Sequence, residues 1–301
     1  MNNKLLIFQI NKLKKRKKAV ILVHNYQWPE IYKVADFIGD SLELSRAASK
    51  TKAKIIVFCG VDFMAESAKI LNPQKKVLLP AMQAQCPMAA MVDIEKLKKI
   101  KKQYLKAAVV GYVNTSAATK AWCDICCTSA NAVKVVKSLK NKEIIFLPDK
   151  NLALYVQSQV KNKKIIPWEG FCYVHSRILV EEVKRAIGLH KKAEVLVHPE
   201  CPPAVIKLAD HVCSTSQMIY QAQKSKNKEF IIVTEAGMVN RLSLEVKNKK
   251  FYAVGGYCLQ MKKNSLEKIY RCLQKENNEI KVPKKIRSKA KKALDKMLKI
   301  K

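Results

Sequence analysis

Three cysteines, Cys86, Cys172 and Cys258, follow one another at intervals of 86 residues. They are not isolated. Short apolar runs end in His24, Tyr112 and His198, and a hydroxyl residue, Ser41, Ser129 or Thr215, stands 17 residues after each. A ring donor, a hydroxyl and a thiol therefore recur three times in one order. A repeat of this length is a small domain and not a solenoid unit.

A lone cysteine after a strand is usually a small buried hydrophobe. One cysteine at the equivalent place in each of three repeats points instead to three thiols converging on a pseudo-three-fold axis. A structural zinc site takes four ligands, often as Cys-x-x-Cys pairs. A [4Fe–4S] cubane fits better: three thiolates hold three irons and leave the fourth open on the axis. Such an iron is a Lewis acid able to bind a substrate oxygen and assist its loss as water. Cys123-Asp-Ile-Cys126-Cys127 is the competing metal motif, but it lacks a second pair. Cys59, Cys201, Cys213 and Cys272 read as structural.

His24, Tyr26, Tyr112, Asn114, His198 and Glu200 all follow a first strand. In parallel α/β sheets that edge is where ligands bind. Ser41, Ser129 and Thr215 precede apolar helical runs and look like N-caps, whose free N–H groups and dipole suit a carboxylate or phosphate. Plain capping is the blander reading of each, and the fixed offset favours the functional one. Glu200 is the expected general base, provided a dry site raises its pKa. His24, Tyr26 and His198 are assigned proton transfer and orientation, and His175, three residues past Cys172, could support the cluster from outside.

The elements that must position these groups are legible as well. Strands are expected at 19–23, 54–59 and 76–80, at 107–111, 143–147 and 164–168, and at 193–197, 229–234 and 250–254. They are continuous Val/Ile-rich runs, as in parallel strands buried on both faces. Ile31, Val34, Ala35 and Ile38 have helical spacing behind Pro29. Helices also follow the second strand of each repeat. The expected fold is α/β: three pseudo-symmetric αβα domains with short parallel sheets around a central active site. The boundaries are 1–104 with a basic lead-in, 105–191 and 192–275, followed by a basic helical tail at 276–301.

The chain has 301 residues, 49% of them apolar, enough for two or three cores. Its best apolar run, 77–92, holds two prolines and two glutamines, so no membrane span is expected. The patch 5–8 is too short for a signal-peptide core, which makes a cytoplasmic location and reduced thiols the expectation. The net charge of +34 raises nucleic-acid binding as a competing function. The lysines are spread along the whole chain without aromatic interleaving, so no nucleic-acid partner is expected. The charge would still draw in anionic metabolites.

Beyond these patterns, the chain resembles the quinolinate synthase family, the A protein of bacterial NAD synthesis. The resemblance runs over roughly residues 19–275. Its motifs are His24-Asn-Tyr-Gln-Trp-Pro-Glu-Ile, Ala35-Asp-Phe-Ile-Gly-Asp-Ser-Leu, Phe63-Met-Ala-Glu-Ser-Ala-Lys, Cys86-Pro-Met-Ala, Gly111-Tyr-Val-Asn-Thr and Cys127-Thr-Ser-Ala-Asn-Ala. Trp168-Glu-Gly-Phe-Cys-Tyr-Val-His, His198-Pro-Glu-Cys, Ser214-Thr-Ser, Thr234-Glu-Ala-Gly and Cys258-Leu-Gln-Met-Lys continue it in order. The resemblance implies a [4Fe–4S] cluster on Cys86, Cys172 and Cys258. It implies condensation of iminosuccinate, supplied by an L-aspartate oxidase, with dihydroxyacetone phosphate to give quinolinate, phosphate and water. It also implies substrate contacts from His24, Ser41, Tyr112, Val113, Asn114, Ser129, His198, Pro199, Glu200 and Thr215, with Tyr26 beside them. Two positions depart from the family pattern. Cys213 stands where Gly is frequent, which would disturb the turn before Ser214. Leu259 replaces a common Pro. The C-terminal Cys-x-x-Cys-x-x-Cys of some relatives is absent, so no thiol switch is expected there.

Overall fold

A computed structural model describes residues 2–300. The described strands form three parallel sheets of four. The first holds β1 (Ala19–His24), β2 (Phe37–Gly39), β3 (Ile55–Cys59) and β4 (Lys76–Leu78). The second holds β5 (Ala108–Tyr112), β6 (Ile125–Cys127), β7 (Glu143–Leu147) and β8 (Lys164–Pro167). The third holds β9 (Glu194–Val197), β10 (His211–Val212), β11 (Glu229–Val233) and β12 (Lys250–Val254). In each, the first strand lies between the second and the third, and the fourth closes the far edge. The molecule is thus three copies of one layered α/β unit.

Strand side chains alternate between the two faces of a sheet, and here both faces are covered. In the first repeat Ile21, Val23, Ile55 and Val57 join an outer core with Leu6, Ile10 and Leu13 of the helix Asn3–Arg16. Leu22, Ile56 and Phe58 point the other way. They enter a central core that also takes Val110, Ile144 and Phe146 from the second repeat and Leu196, Phe230 and Ile232 from the third. This shared core explains why the strands lack a polar face.

Each sheet has one strand more than expected from the sequence. β2, β6 and β10 are only two or three residues long, too short for a recognisable run. An aspartate holds each in place. Asp36, Asp124 and Asp210 each accept a hydrogen bond at 2.8 Å from the N–H of Ile21, Val109 or Val195, 15 residues earlier. Their own N–H groups donate back to the same three residues. This anchoring also corrects the expected helix over 31–38. A single turn, Pro29–Tyr32, forms, and the chain beyond Asp36 turns into β2.

The C-terminal segment packs tightly. Asn278 and Ile280 exchange main-chain hydrogen bonds with Leu79 and Val77. The helix Lys284–Lys299 then buries Ala290, Ala293, Leu294 and Met297 in the central core. No described helix is long and apolar enough to cross a membrane.

Candidate active site

The carboxyl ends of β1, β5 and β9 point at one cavity. Its wall contains His24 and Tyr26 from the first repeat, Tyr112, Asn114 and Ser129 from the second, and His198, Glu200 and Thr215 from the third, together with Ser41. Cys86, Cys172 and Cys258 line the same cavity, one from each repeat. Of the residues named from the sequence, Val113 and Pro199 stand apart. Both are buried but lie outside the cavity wall, and Val113 spends its N–H on the Cys127 carbonyl at the sheet edge.

The hydroxyl residues differ from the expected N-caps. Asp40 caps the helix Ser41–Lys50, accepting from the N–H of Leu42 and Glu43. Ser214 caps Thr215–Lys224, and Asn131 is the cap residue before Ala132–Ser138. Ser41 and Thr215 are therefore first-turn residues on the cavity wall, and Ser129 lies in the loop before its helix. The cap at Ser214 is complete, with Gln217 accepting in return from Ser214 N–H at 2.8 Å. Cys213 thus leaves that turn undisturbed. Ser214 also donates to Asp40 at 3.1 Å, and Asn25 donates to Thr215 Oγ1 at 2.9 Å, sewing the first repeat to the third.

Two of the three histidines on the cavity wall, His24 and His198, are shifted towards the neutral form. Burial, then the Lys262 cation, lowers His24 to about 3, against an opposing pull from Glu200. Burial and His175 lower His198 to about 3, again opposed by Glu200. Tyr26 N–H donates to His24 Nδ1 at 3.2 Å, and Glu200 N–H donates to His198 Nδ1 at 3.4 Å. In each neutral ring the proton is then on Nε2, which becomes a hydrogen-bond donor. Burial likewise holds the Tyr26 and Tyr112 phenols protonated, well above their ordinary range.

Glu200 behaves differently from expectation. Burial pushes its carboxyl up, but His175, whose Nδ1 lies 2.7 Å from Oε2, with His198 and Tyr112 adding to it, more than offsets this, and the carboxyl is held below the usual range. The dry site therefore does not raise Glu200; its partners keep it ionised. His175 continues the chain of contacts through Nε2 to Thr234 Oγ1 at 2.8 Å, and Thr234 meets the Tyr26 hydroxyl at 2.7 Å. Glu200 Oε1, Asn114 Oδ1 and Gln260 Oε1 are buried without a hydrogen-bond partner, and all three residues line the cavity. Buried polar atoms are normally paired, so these are acceptors waiting for a donor.

The thiols suit a metal cluster. All ten cysteines are free. Burial pushes Cys86 up to about 12 and raises Cys172 and Cys258, with Cys258 adding to the shift of Cys86 and Cys86 to that of Cys172. Three buried thiols on one cavity wall, whose thiolate forms burial disfavours, fit a metal that would stabilise them. Cys172, His175 and Glu200 also lie close enough to hold an ion among themselves. There, however, His175 Nδ1 is already shared between Cys172 Sγ at 3.2 Å and Glu200 at 2.7 Å. That geometry is a hydrogen-bond network. Cys123, Cys126 and Cys127 form no such group: the last two sit in β6, and Cys123 donates to the Thr119 carbonyl. Leu259, where the family pattern has Pro, supplies an N–H to the Tyr173 hydroxyl at 2.9 Å, and Tyr173 reaches Cys258 Sγ at 3.6 Å.

From the sequence, Thr234, Glu235 and Lys262 stand only as members of two motifs, with no role given to them. Lys262 pairs with Glu235 at 3.1 Å and donates to the Tyr26 carbonyl, joining the Cys258 loop to the His24–Tyr26 loop. Besides the Thr234-Glu-Ala-Gly motif, the nearly constant spacing of Asp62, Asp149 and Glu235 before the three cysteines could have drawn attention to Glu235.

A pseudo-three-fold α/β protein with one thiol per repeat on a shared cavity is the class this architecture defines. The profile of the family described as quinolinate synthetase A protein matches residues 8–299. Quinolinate synthase of Alkaliphilus metalliredigens is 52% identical over the whole of both chains. That of Caldicellulosiruptor bescii is 51% identical over 99% of each, and that of Methanosarcina barkeri 52% over 98% of each. The chain belongs to the quinolinate synthetase A family of enzymes.

Proposed function

We propose that this enzyme condenses iminosuccinate with dihydroxyacetone phosphate to quinolinate, releasing phosphate and water, in the cytoplasmic synthesis of NAD. A [4Fe–4S] cluster on Cys86, Cys172 and Cys258 is its cofactor, and an L-aspartate oxidase supplies the iminosuccinate. The observation that carries the reading is the convergence of one thiol from each repeat on a cavity walled by donors for anions. The cluster, when bound, supplies a Lewis acid at its open iron.

The protein's own residues do the rest. The Nε2–H groups of His24 and His198, the hydroxyls of Ser41, Ser129 and Thr215, and Asn114 bind and orient the carboxylates and phosphate. Neutral imidazoles suit this because they donate without requiring a buried charge. Glu200 remains the group to accept a proton from substrate carbon at Oε1, its unpartnered oxygen; what supports the role is that free, ionised oxygen at the cavity and not a raised pKa, so it acts as a weaker base than burial alone would make it. His175 holds Glu200 and, with Thr234 and Tyr26, offers a path along which a proton can move. The buried wall excludes water, which strengthens each contact.

Anaerobic reconstitution with iron and sulfide, followed by a quinolinate assay, tests the reading. Bound iron and sulfide near four each, a broad visible band and quinolinate formation are expected. Cys172→Ala should lose cluster and turnover, while Cys272→Ala keeps both. Full iron and full turnover in Cys172→Ala would overturn the ligand assignment.

A further inference from the structure

Each of the three cysteines has a carboxylate behind it. Cys86 N–H donates to Asp62 Oδ1, Cys172 N–H to Asp149 Oδ2 and Cys258 N–H to Glu235 Oε1, all at 3.1 Å, from acids 24, 23 and 23 residues upstream. The acids stand at equivalent places. Asp62 opens the helix Asp62–Leu71, Asp149 caps Lys150–Gln159, and Glu235 lies just before Met238–Glu245. Asp149 and Glu235 are completely buried.

A buried carboxylate is costly, and Asn caps a helix about as well as Asp. Capping alone therefore does not explain three acids. Asp149 uses one oxygen for the cap, on Leu152 N–H at 2.7 Å, and the other for Cys172. In Glu235 the longer side chain reaches Cys258 with Oε1 and Gly237 N–H with Oε2. Two different acids in three copies thus arrive at one contact, the N–H of a cysteine.

We propose that Asp62, Asp149 and Glu235 are positioning residues for the cluster: each fixes the main chain of one cysteine so that the three thiols converge, and each takes up an N–H that would otherwise be free to donate to a cluster sulfur. The proposal rests on the cluster reading above. Hydrogen bonds to the sulfurs and nearby charge are what set a cluster's reduction potential. Withdrawing an N–H from the sulfurs lowers it. Asp149 spends one carboxylate oxygen on the Cys172 N–H, so losing that contact should raise the potential.

The test compares Asp149→Asn with Asp124→Asn in the full-length reconstituted enzyme. Asp124→Asn removes the same kind of bond, to Val109 N–H, but contacts none of Cys86, Cys172 and Cys258. An asparagine in place of Asp149 can still cap the helix, so similar melting is expected for Asp149→Asn and wild type. In Asp149→Asn the cluster's visible absorption should decay about ten-fold faster under a chelator, the size typical of losing an outer contact to a metal ligand. Its midpoint potential should move to more positive values. Asp124→Asn should keep wild-type decay and potential whatever it does to melting. Asp62→Glu, which installs the acid of the third repeat, should decay within about two-fold of wild type, while Asp62→Asn should decay about ten-fold faster. Wild-type decay and potential in Asp149→Asn, or equal shifts in Asp124→Asn, would overturn the proposal. If Asp149→Asn does not fold, Glu235→Gln and Asp62→Asn give the same readings. If wild-type protein takes up no iron, the cluster reading falls by itself. The alkylation rate of Cys172 in apo-protein then decides: about ten-fold faster in Asp149→Asn upholds the positioning role, and an unchanged rate removes it.

Discussion

Glu200 keeps one carboxylate oxygen bound to His175 and the other without a partner at the cavity. Glu200→Gln preserves shape and most hydrogen bonding but cannot take up a proton. A positioned general base contributes on the order of 10²–10⁴-fold in rate. A kcat loss in that range is expected, with the visible absorption of the cluster intact. Near-normal product formation in single-turnover assays would remove the role. The histidines make a separate prediction about pH. A group at about 3 in the folded state that titrates near 6.5 when unfolded leaves the unfolded chain binding more protons. Stability from His24 and His198 is therefore full above about pH 6.5 and is lost as pH falls towards 3. Melting temperature should drop over that window, and His24→Gln should flatten the drop. An identical pH profile in the variant would show that His24 does not titrate this way.

At the scale of elements, the repeats explain part of the lysine excess. Lys75 donates to the Thr51 carbonyl, Lys163 to those of Leu139 and Asn141, and Lys249 to those of Ala222 and Ser225. These carbonyls lie at or just beyond the C-terminal ends of equivalent helices, where a cation is favourable. Such lysines are structural. The turn after β12 is as demanding. Gly255 has φ of +139°, and a Cβ there would run into the Thr234 carbonyl oxygen. Gly255→Ala combines a disfavoured backbone with a clash beside the Thr234 contact to His175. We expect a loss of about 1–3 kcal/mol in stability and a fall in kcat, with Gly188→Ala, a helical site where nothing crowds the added carbon, as the control that loses neither. Equal behaviour of the two variants in denaturant titration and assay would refute the claim.

Across the whole molecule, the three repeats share one core, and the C-terminal helix completes it. Leu294 is fully buried there. Leu294→Ala should cost about 2–5 kcal/mol, the range for a buried Leu truncated in a packed core. Equilibrium unfolding in urea measures it, and a change under about 0.5 kcal/mol would show that the tail is a surface attachment. Because that helix packs between elements of the first and second repeats, its loss should also loosen the cavity they wall.

The sequence by itself determined the α/β class, the three-fold repetition, nine of the strands and the family. Those features are written in local periods and in constant spacings, such as the 86 residues between cysteines. The strands β2, β6 and β10 were not legible, because two or three residues carry no period and the aspartates that pin them act 15 residues away. Likewise, the motif that begins at Thr234 gives no sign of its bond to His175, 59 residues earlier, or to Tyr26, 208 residues earlier. The charge state of Glu200 went the other way from the sequence expectation for the same reason. Burial alone raises a carboxyl, and only the folded chain brings His175 to 2.7 Å to reverse it. Residue types and spacing can be read along the chain, but the energy of a buried charge depends on its neighbours in space, and the tertiary structure alone supplies them.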